Sequence, residues 1–274
     1  MHDPFAHCEH LVRAADKDRF LATLFAPANR RGALFALYAF NVDIARVREV
    51  VRDPMAGEVR LQWWRDTLER PGSGEARGSP IASALLDTII RFRLPVQPLI
   101  DLIEARAFDL YSDPMPTLAA LEAYANHTSS TLINLAARIL DPRADVSVAA
   151  GEAGAAYAFA GLLRAFPLHA SRGQLFVPLE LLERHGASPQ DVLAGRPRPE
   201  ISAVLGDMRD IAQQHFAAYR AAAIPPAVAP AFLPAALVPL YLKRLDRSRR
   251  APFRMVDVPP WRRQWALWRA ARRM

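Results

Sequence analysis

One cysteine, Cys8, stands in 274 residues, so no disulfide can form within the chain. That fits a reducing compartment. No run of eighteen apolar residues occurs, and no membrane-spanning helix is predicted. The first twenty residues lack an apolar core segment and carry Asp3, Glu9, Asp16 and Asp18. Neither a secretory signal nor an acid-poor mitochondrial presequence is expected there, and the expectation is a cytoplasmic protein. Alternating strand patterns are almost absent. So are a Ser-His-Asp or Cys-His constellation, a P-loop and a dinucleotide fingerprint.

What is present is an ordinary globular balance: 51% apolar and 23% charged residues argue against extensive disorder. The length suits one large domain, read as residues 1–274. The net charge of +7 comes almost entirely from arginine. It permits nucleic acid, anionic lipid or phosphate-bearing ligands and selects none of them. A nucleic-acid partner rests on that charge alone and is not expected. His7-Cys8-Glu9-His10 invites a metal reading, but one cysteine with two histidines and no second cluster is a poor zinc site. A lightly packed N-terminus is expected instead.

The chain reads as helices punctuated by prolines. Near-helical apolar spacing marks residues 9–25, 29–51 and 55–69. A flexible loop follows at 70–80. Further helices are predicted at 81–92, 96–111, 117–140, 145–168, 178–185 and 200–222, with Thr117 as an N-cap. Residues 224–234, with four prolines, read as a stiff connector. A core helix at 237–246 and a basic tail helix at 259–272 complete the series. Many consecutive helices with short connections argue for an all-α bundle.

Three stretches carry a family resemblance over roughly residues 9–245. Arg31-Gly-Ala-Leu-Phe-Ala-Leu-Tyr-Ala-Phe40 resembles the opening helix of squalene and phytoene synthases. Leu61-Gln-Trp-Trp-Arg-Asp-Thr-Leu68 is similar to their Leu-x-x-Trp-Arg-x-x-Leu segment, and Leu163-Arg164 through Arg172-Gly-Gln-Leu-Phe-Val-Pro178 to the run from their second aspartate motif into Arg-Gly-x-x-Tyr-Leu-Pro. Taken singly, Tyr38, Phe40, Trp63 and Trp64 are ordinary core aromatics; the combination is what resembles the family. The resemblance implies a single-domain isoprenoid-synthase-like helical bundle around a central cavity. It also implies a pocket that Tyr38, Glu49, Trp64, Arg65, Asp109, Tyr124 and His169 would line.

Such synthases join two prenyl diphosphates, and the departing diphosphate must be compensated by charge. The family does this with carboxylates at i, i+3 or i+4 on facing helices, which hold Mg²⁺. Here the first motif reads Ala45-Arg46-Val47-Arg48-Glu49, where only Glu49 could ligate a metal; Asp43 falls on another face. The second reads Arg164-Ala165-Phe166-Pro167-Leu168-His169, with both aspartates replaced and Pro167 expected to distort the helix. No metal or other cofactor is expected, Mg²⁺ returning only if the chain is an active prenyltransferase. Arg46, Arg48, Arg164 and Arg172 are candidates for binding an anion directly. His127, Thr128, Ser129 and Ser130 either line a polar pocket or bond back to their own helix.

Ala39-Phe40-Asn41-Val42-Asp43-Ile44-Ala45, Tyr124-Ala-Asn-His-Thr-Ser-Ser130 and Leu163–Gly173 resemble one branch in particular: the squalene/phytoene-synthase-like complex I assembly factors and their bacterial relatives. That resemblance implies a non-catalytic role with respiratory complex I assembly intermediates, with lipid or prenyl diphosphate as the ligand. The alternative is an active prenyltransferase of isoprenoid biosynthesis.

The tail has two readings. Trp261, Trp265 and Trp268 share one helical face, and Arg262, Arg263, Arg269, Arg272 and Arg273 face no acid within 259–274. This segment either docks on the inner face of the cytoplasmic membrane as a peripheral contact, or packs its tryptophans onto the bundle.

Overall fold

The computed structural model describes residues 3–51, 53–70 and 78–273, and no strand occurs among them. Sixteen α-helices are described. The first seven are α1 Pro4–Ala15, α2 Lys17–Thr23, α3 Ala28–Ala45, α4 Val47–Val50, α5 Pro54–Glu69, α6 Pro80–Phe92 and α7 Gln97–Ala107. Then come α8 Leu118–Ala125, α9 Thr131–Leu140, α10 Ser147–Ser171, α11 Leu179–Arg184 and α12 Pro189–Leu193. The last are α13 Pro199–Ala221, α14 Ala229–Phe232, α15 Val238–Arg247 and α16 Pro260–Ala271. Of the loop expected at 70–80, residues 71–77 lie outside the described residues.

The prolines act mostly as starters. Pro4, Pro54, Pro80, Pro98, Pro189, Pro199 and Pro260 sit in the first turn of their helices, where the missing N–H would have had no partner. Asp16 divides the first expected helix. It ends α1 and caps α2, accepting from the backbone N–H of Arg19 at 3.0 Å. Thr117 caps α8 as expected, through the Ala120 N–H at 3.1 Å.

Three expectations are corrected. The N-terminus is not lightly packed: α1 lies against α3 and α6, Cys8 and Val12 are fully buried, and burial pushes the Cys8 thiol up to about 12. The helix expected to end at 168 runs on to Ser171, with Pro167 inside it. Residues 224–234 are not a bare connector but largely short helical turns whose Val228, Ala231, Phe232 and Leu233 are buried. By length and composition alone, the helical stretch Pro226–Arg247 could cross a membrane, but 61% of its most apolar window is buried inside the protein.

The long α10 is the spine, packed against α8, α9, α13 and α15. Its run of alanines lets neighbours approach. At Gly154 a Cβ would sit 2.3 Å from Ser130 Cα, so only glycine fits there. Facing it, Asn126–Ser130 forms a π-turn between α8 and α9. Ser130 Oγ donates to the Gly151 carbonyl at 2.9 Å, and Thr128 Oγ1 donates back to the Tyr124 carbonyl at 2.7 Å. Gly173, with φ of 73°, closes α10, and the Gln174 N–H donates to the His169 carbonyl at 2.9 Å.

Candidate functional site

The two degenerate motif stretches meet at one carboxylate. Glu49, on α4, accepts from Arg46 Nε at 3.0 Å and from Arg172 Nη1, just beyond α10, at 2.8 Å. The Arg172 hydrogen bond, helped by Arg46, holds Glu49 below the usual carboxylate range. Arg48 turns away from this pair. Its Nη1 donates to the Leu110 carbonyl, and its Nη2 to Ser112 Oγ at 3.3 Å. Asp43 is engaged elsewhere, taking a fork from Arg60 and the Trp64 indole N–H at 2.7 Å.

A second polar cluster is buried. Tyr124 Oη donates to Asp109 Oδ1 at 2.8 Å, and Arg106 Nη1 donates to both Tyr124 Oη and Asp109 Oδ2, at 2.6 and 3.0 Å. Burial pushes Asp109 up, against the pull of Arg106 and Tyr124. Gln174 Nε2 donates to the Asp109 carbonyl at 3.1 Å, linking this cluster to the end of α10. His169 packs on Phe176, ring centroids 4.6 Å apart, and Phe176 packs in turn on Tyr124 at 5.7 Å. Burial first, then the charges of Arg172 and Arg106, drive the His169 imidazole down to about 4. The cavity beside His169 is only about 10 Å³.

A third cluster centres on Asp18. Tyr157 and Tyr241 donate to its carboxylate, the former at 3.1 Å, and Arg263 Nε lies 3.1 Å away. Arg164 is drawn here and not to Glu49: it lies 3.9 Å from Asp18 and stacks over the Tyr241 ring at 3.8 Å. Tyr38 borders this end through Arg19, whose guanidinium lies over the Tyr38 and Tyr157 rings. A cleft of about 630 Å³ opens above Asp18, lined by Tyr157, Arg164, Asp257 and Arg263.

The structure thus joins Glu49 with Arg46 and Arg172, and Asp109 with Tyr124. Of the four candidate anion-binding arginines, Arg48 and Arg164 are engaged elsewhere and do not join Arg46 and Arg172. Trp64 is a core residue packed edge-on against Phe40, and Arg65 lies in an outer groove, 3.3 Å from Glu104; neither joins the polar clusters. Sequence reasoning missed Arg106, Asp18 and Arg263. Arg106 could have been found from its i, i+3 spacing to Asp109.

The Mg²⁺ that the fold implies does not fit this donor set. One carboxylate stands at the two motifs, already held by two guanidiniums, and the second motif offers only Ala165 and His169. Among the described residues no group of three or more His, Cys, Asp or Glu is placed to hold a metal ion.

The squalene/phytoene synthase profile matches residues 12–269. The chain belongs to that family. It is similar to the complex I assembly factor 6 of Rattus norvegicus, 31% identical over 250 residues, covering 89% of this chain and 74% of that one. It is also similar to the 15-cis-phytoene synthase of Synechococcus elongatus, 27% identical over 209 residues, 70% of this chain and 67% of that one. A dehydrosqualene synthase crystallised with ligand superposes with a TM-score of 0.82 at 19% identity, over 98% of this chain and 96% of that one, which shows the shared fold.

Proposed function

We propose that this chain is a non-catalytic member of the squalene/phytoene synthase family that serves respiratory complex I assembly. The observation that carries the reading is the capture of Glu49 by Arg46 and Arg172. A departing diphosphate needs unspent positive charge in the transition state. Here the arginines at the motif positions are spent on protein groups: two on Glu49, Arg48 on a carbonyl, Arg164 on Asp18 and Tyr241. The likeness to named assembly factors supports the same reading. Any lipid or prenyl diphosphate that binds would be left unchanged.

Deleting the gene in its own organism and resolving membrane complexes on native gels tests the assembly role. The expected result is loss of mature complex I. Intact complex I, together with squalene or phytoene formed by the purified protein from farnesyl or geranylgeranyl diphosphate, would overturn the proposal and restore the prenyltransferase alternative.

A further inference from the structure

Helix α16 is anchored by one face and unpartnered on another. Leu267 is fully buried and Arg263 is 8% exposed, whereas Trp261 and Trp265 are 62% and 56% exposed and Trp268 is 38% exposed. Three large aromatic side chains thus face outward on a helix whose inward residues already hold it to the bundle. Trp265 and Trp268 stack at 4.9 Å, Arg262 lies over Trp261 at 5.1 Å and Arg272 over Trp268 at 4.1 Å.

At about 100° per residue, the tryptophans and Arg272 share one stripe, while Arg262, Arg269 and Arg273 fall on its flank, about 80–120° round from Trp261. Beyond that flank the helix borders a groove of about 440 Å³. Phe216, Leu240, Ala266 and Ala270 form its apolar floor, and Arg220, Arg269 and Arg273 rim it. All three rim arginines are exposed, and none makes an ion pair among the described residues. No acid occurs in 259–274 to neutralise them.

We propose that this face of α16 and the adjoining groove dock the protein on an anionic phospholipid bilayer. Tryptophan settles at the headgroup level, where its apolar ring and polar N–H are both accommodated. The rim arginines would collect lipid phosphates over an apolar floor that suits the first carbons of an acyl chain. Self-association through this face would set arginine against arginine, because a two-fold interface repeats the same patch on both sides. The proposal does not depend on the assembly role, and vesicle binding is read on the purified protein alone.

The test is sedimentation of the full chain with vesicles of phosphatidylcholine alone and of phosphatidylcholine with phosphatidylglycerol, at low and high salt. Two variants accompany it: W261A/W265A/W268A and R220Q/R269Q/R273Q. The chain should bind only the anionic vesicles, with a blue shift in tryptophan emission, and release as salt rises. The arginine variant should bind on the order of a hundredfold more weakly, and the tryptophan variant at least about tenfold. Both should melt close to the parent, because they alter exposed side chains. Failure of the intact chain to bind anionic vesicles at low salt would overturn the proposal. So would equal binding by both variants, or release by soluble inorganic phosphate, which would mark a free-anion site. A dimer that dissociates only in the tryptophan variant, or binding of single-stranded DNA through the same residues in place of vesicles, would assign the face to another partner.

Discussion

Asp18 and Arg263 stand 245 residues apart in sequence and 3.1 Å apart in space, both almost fully buried. The pair fastens α16 to α2, and Tyr157 and Tyr241 complete the shell around the carboxylate. Removing Arg263 leaves the buried Asp18 carboxylate to the two tyrosines and to Arg164, 3.9 Å away. Arg263→Ala should therefore cost about 1–3 kcal/mol, read by urea unfolding. Trp261→Ala, on the opposite face of the same helix, should stay within about 0.5 kcal/mol. Equal effects would mean that α16 is held by its tryptophans.

The captured carboxylate gives a second expectation. Calorimetry with farnesyl diphosphate should show no gain in affinity when Mg²⁺ is added. Glu49→Gln frees Arg46 and Arg172 and should tighten binding of inorganic pyrophosphate by about tenfold, with or without metal. Ala165→Asp with His169→Asp should not create turnover, because the first motif still offers a single carboxylate, already paired. Magnesium-dependent binding by the parent would contradict this account.

His169 supplies a pH signature. Its imidazole titrates near 6.5 when unfolded and near 4 when folded. Between these values the unfolded chain holds a proton that the folded chain does not, so stability falls as pH falls through that window. In His169→Phe, which keeps an aromatic against Phe176, unfolding free energy should decline less steeply from pH 6.5 to pH 4. Parallel declines in parent and variant would show that the acid sensitivity arises elsewhere.

Gly154 offers a packing test. A methyl at that position would meet Ser130 backbone 2.3 Å away. Gly154→Ala should destabilise by about 1–3 kcal/mol, even though alanine favours helices, and the thermal midpoint reports it. A stabilised variant would show that the π-turn moves aside freely.

The helical architecture was legible because proline and apolar spacing act locally, and Thr117 announced its cap. That Asp109 and Tyr124 border one pocket was expected only through resemblance, and their hydrogen bond to each other was not expected at all. What stayed hidden was long-range: Asp18 looks like a solvated helix residue until Tyr157, Tyr241 and Arg263 arrive from α10, α15 and α16. Arg164 likewise reads as part of its motif, yet Asp18 and Tyr241 draw it away. The tail was half legible. The tryptophan stripe was visible, but the buried side of α16 falls on Leu267 and Arg263, and not on the aromatics. A charged residue four positions before a leucine gave no sign that it was the one turned inward.

The apolar stretch Pro226–Arg247 bears on biosynthesis. Leaving the ribosome, it offers insertion machinery a segment long and apolar enough to be taken for a membrane anchor. Most of the surfaces that claim it, on α2, α9, α10 and α13, precede it in the chain, while α16, which packs on its Leu233–Leu237 turn, follows it. Most of the acceptor is thus translated before the segment that needs it, with α16 closing over it last, and prompt docking competes with misrouting into the bilayer. Mutations that loosen α9 or α10 would then reveal themselves as protein stranded in the membrane fraction, resistant to carbonate extraction, before any loss of total protein.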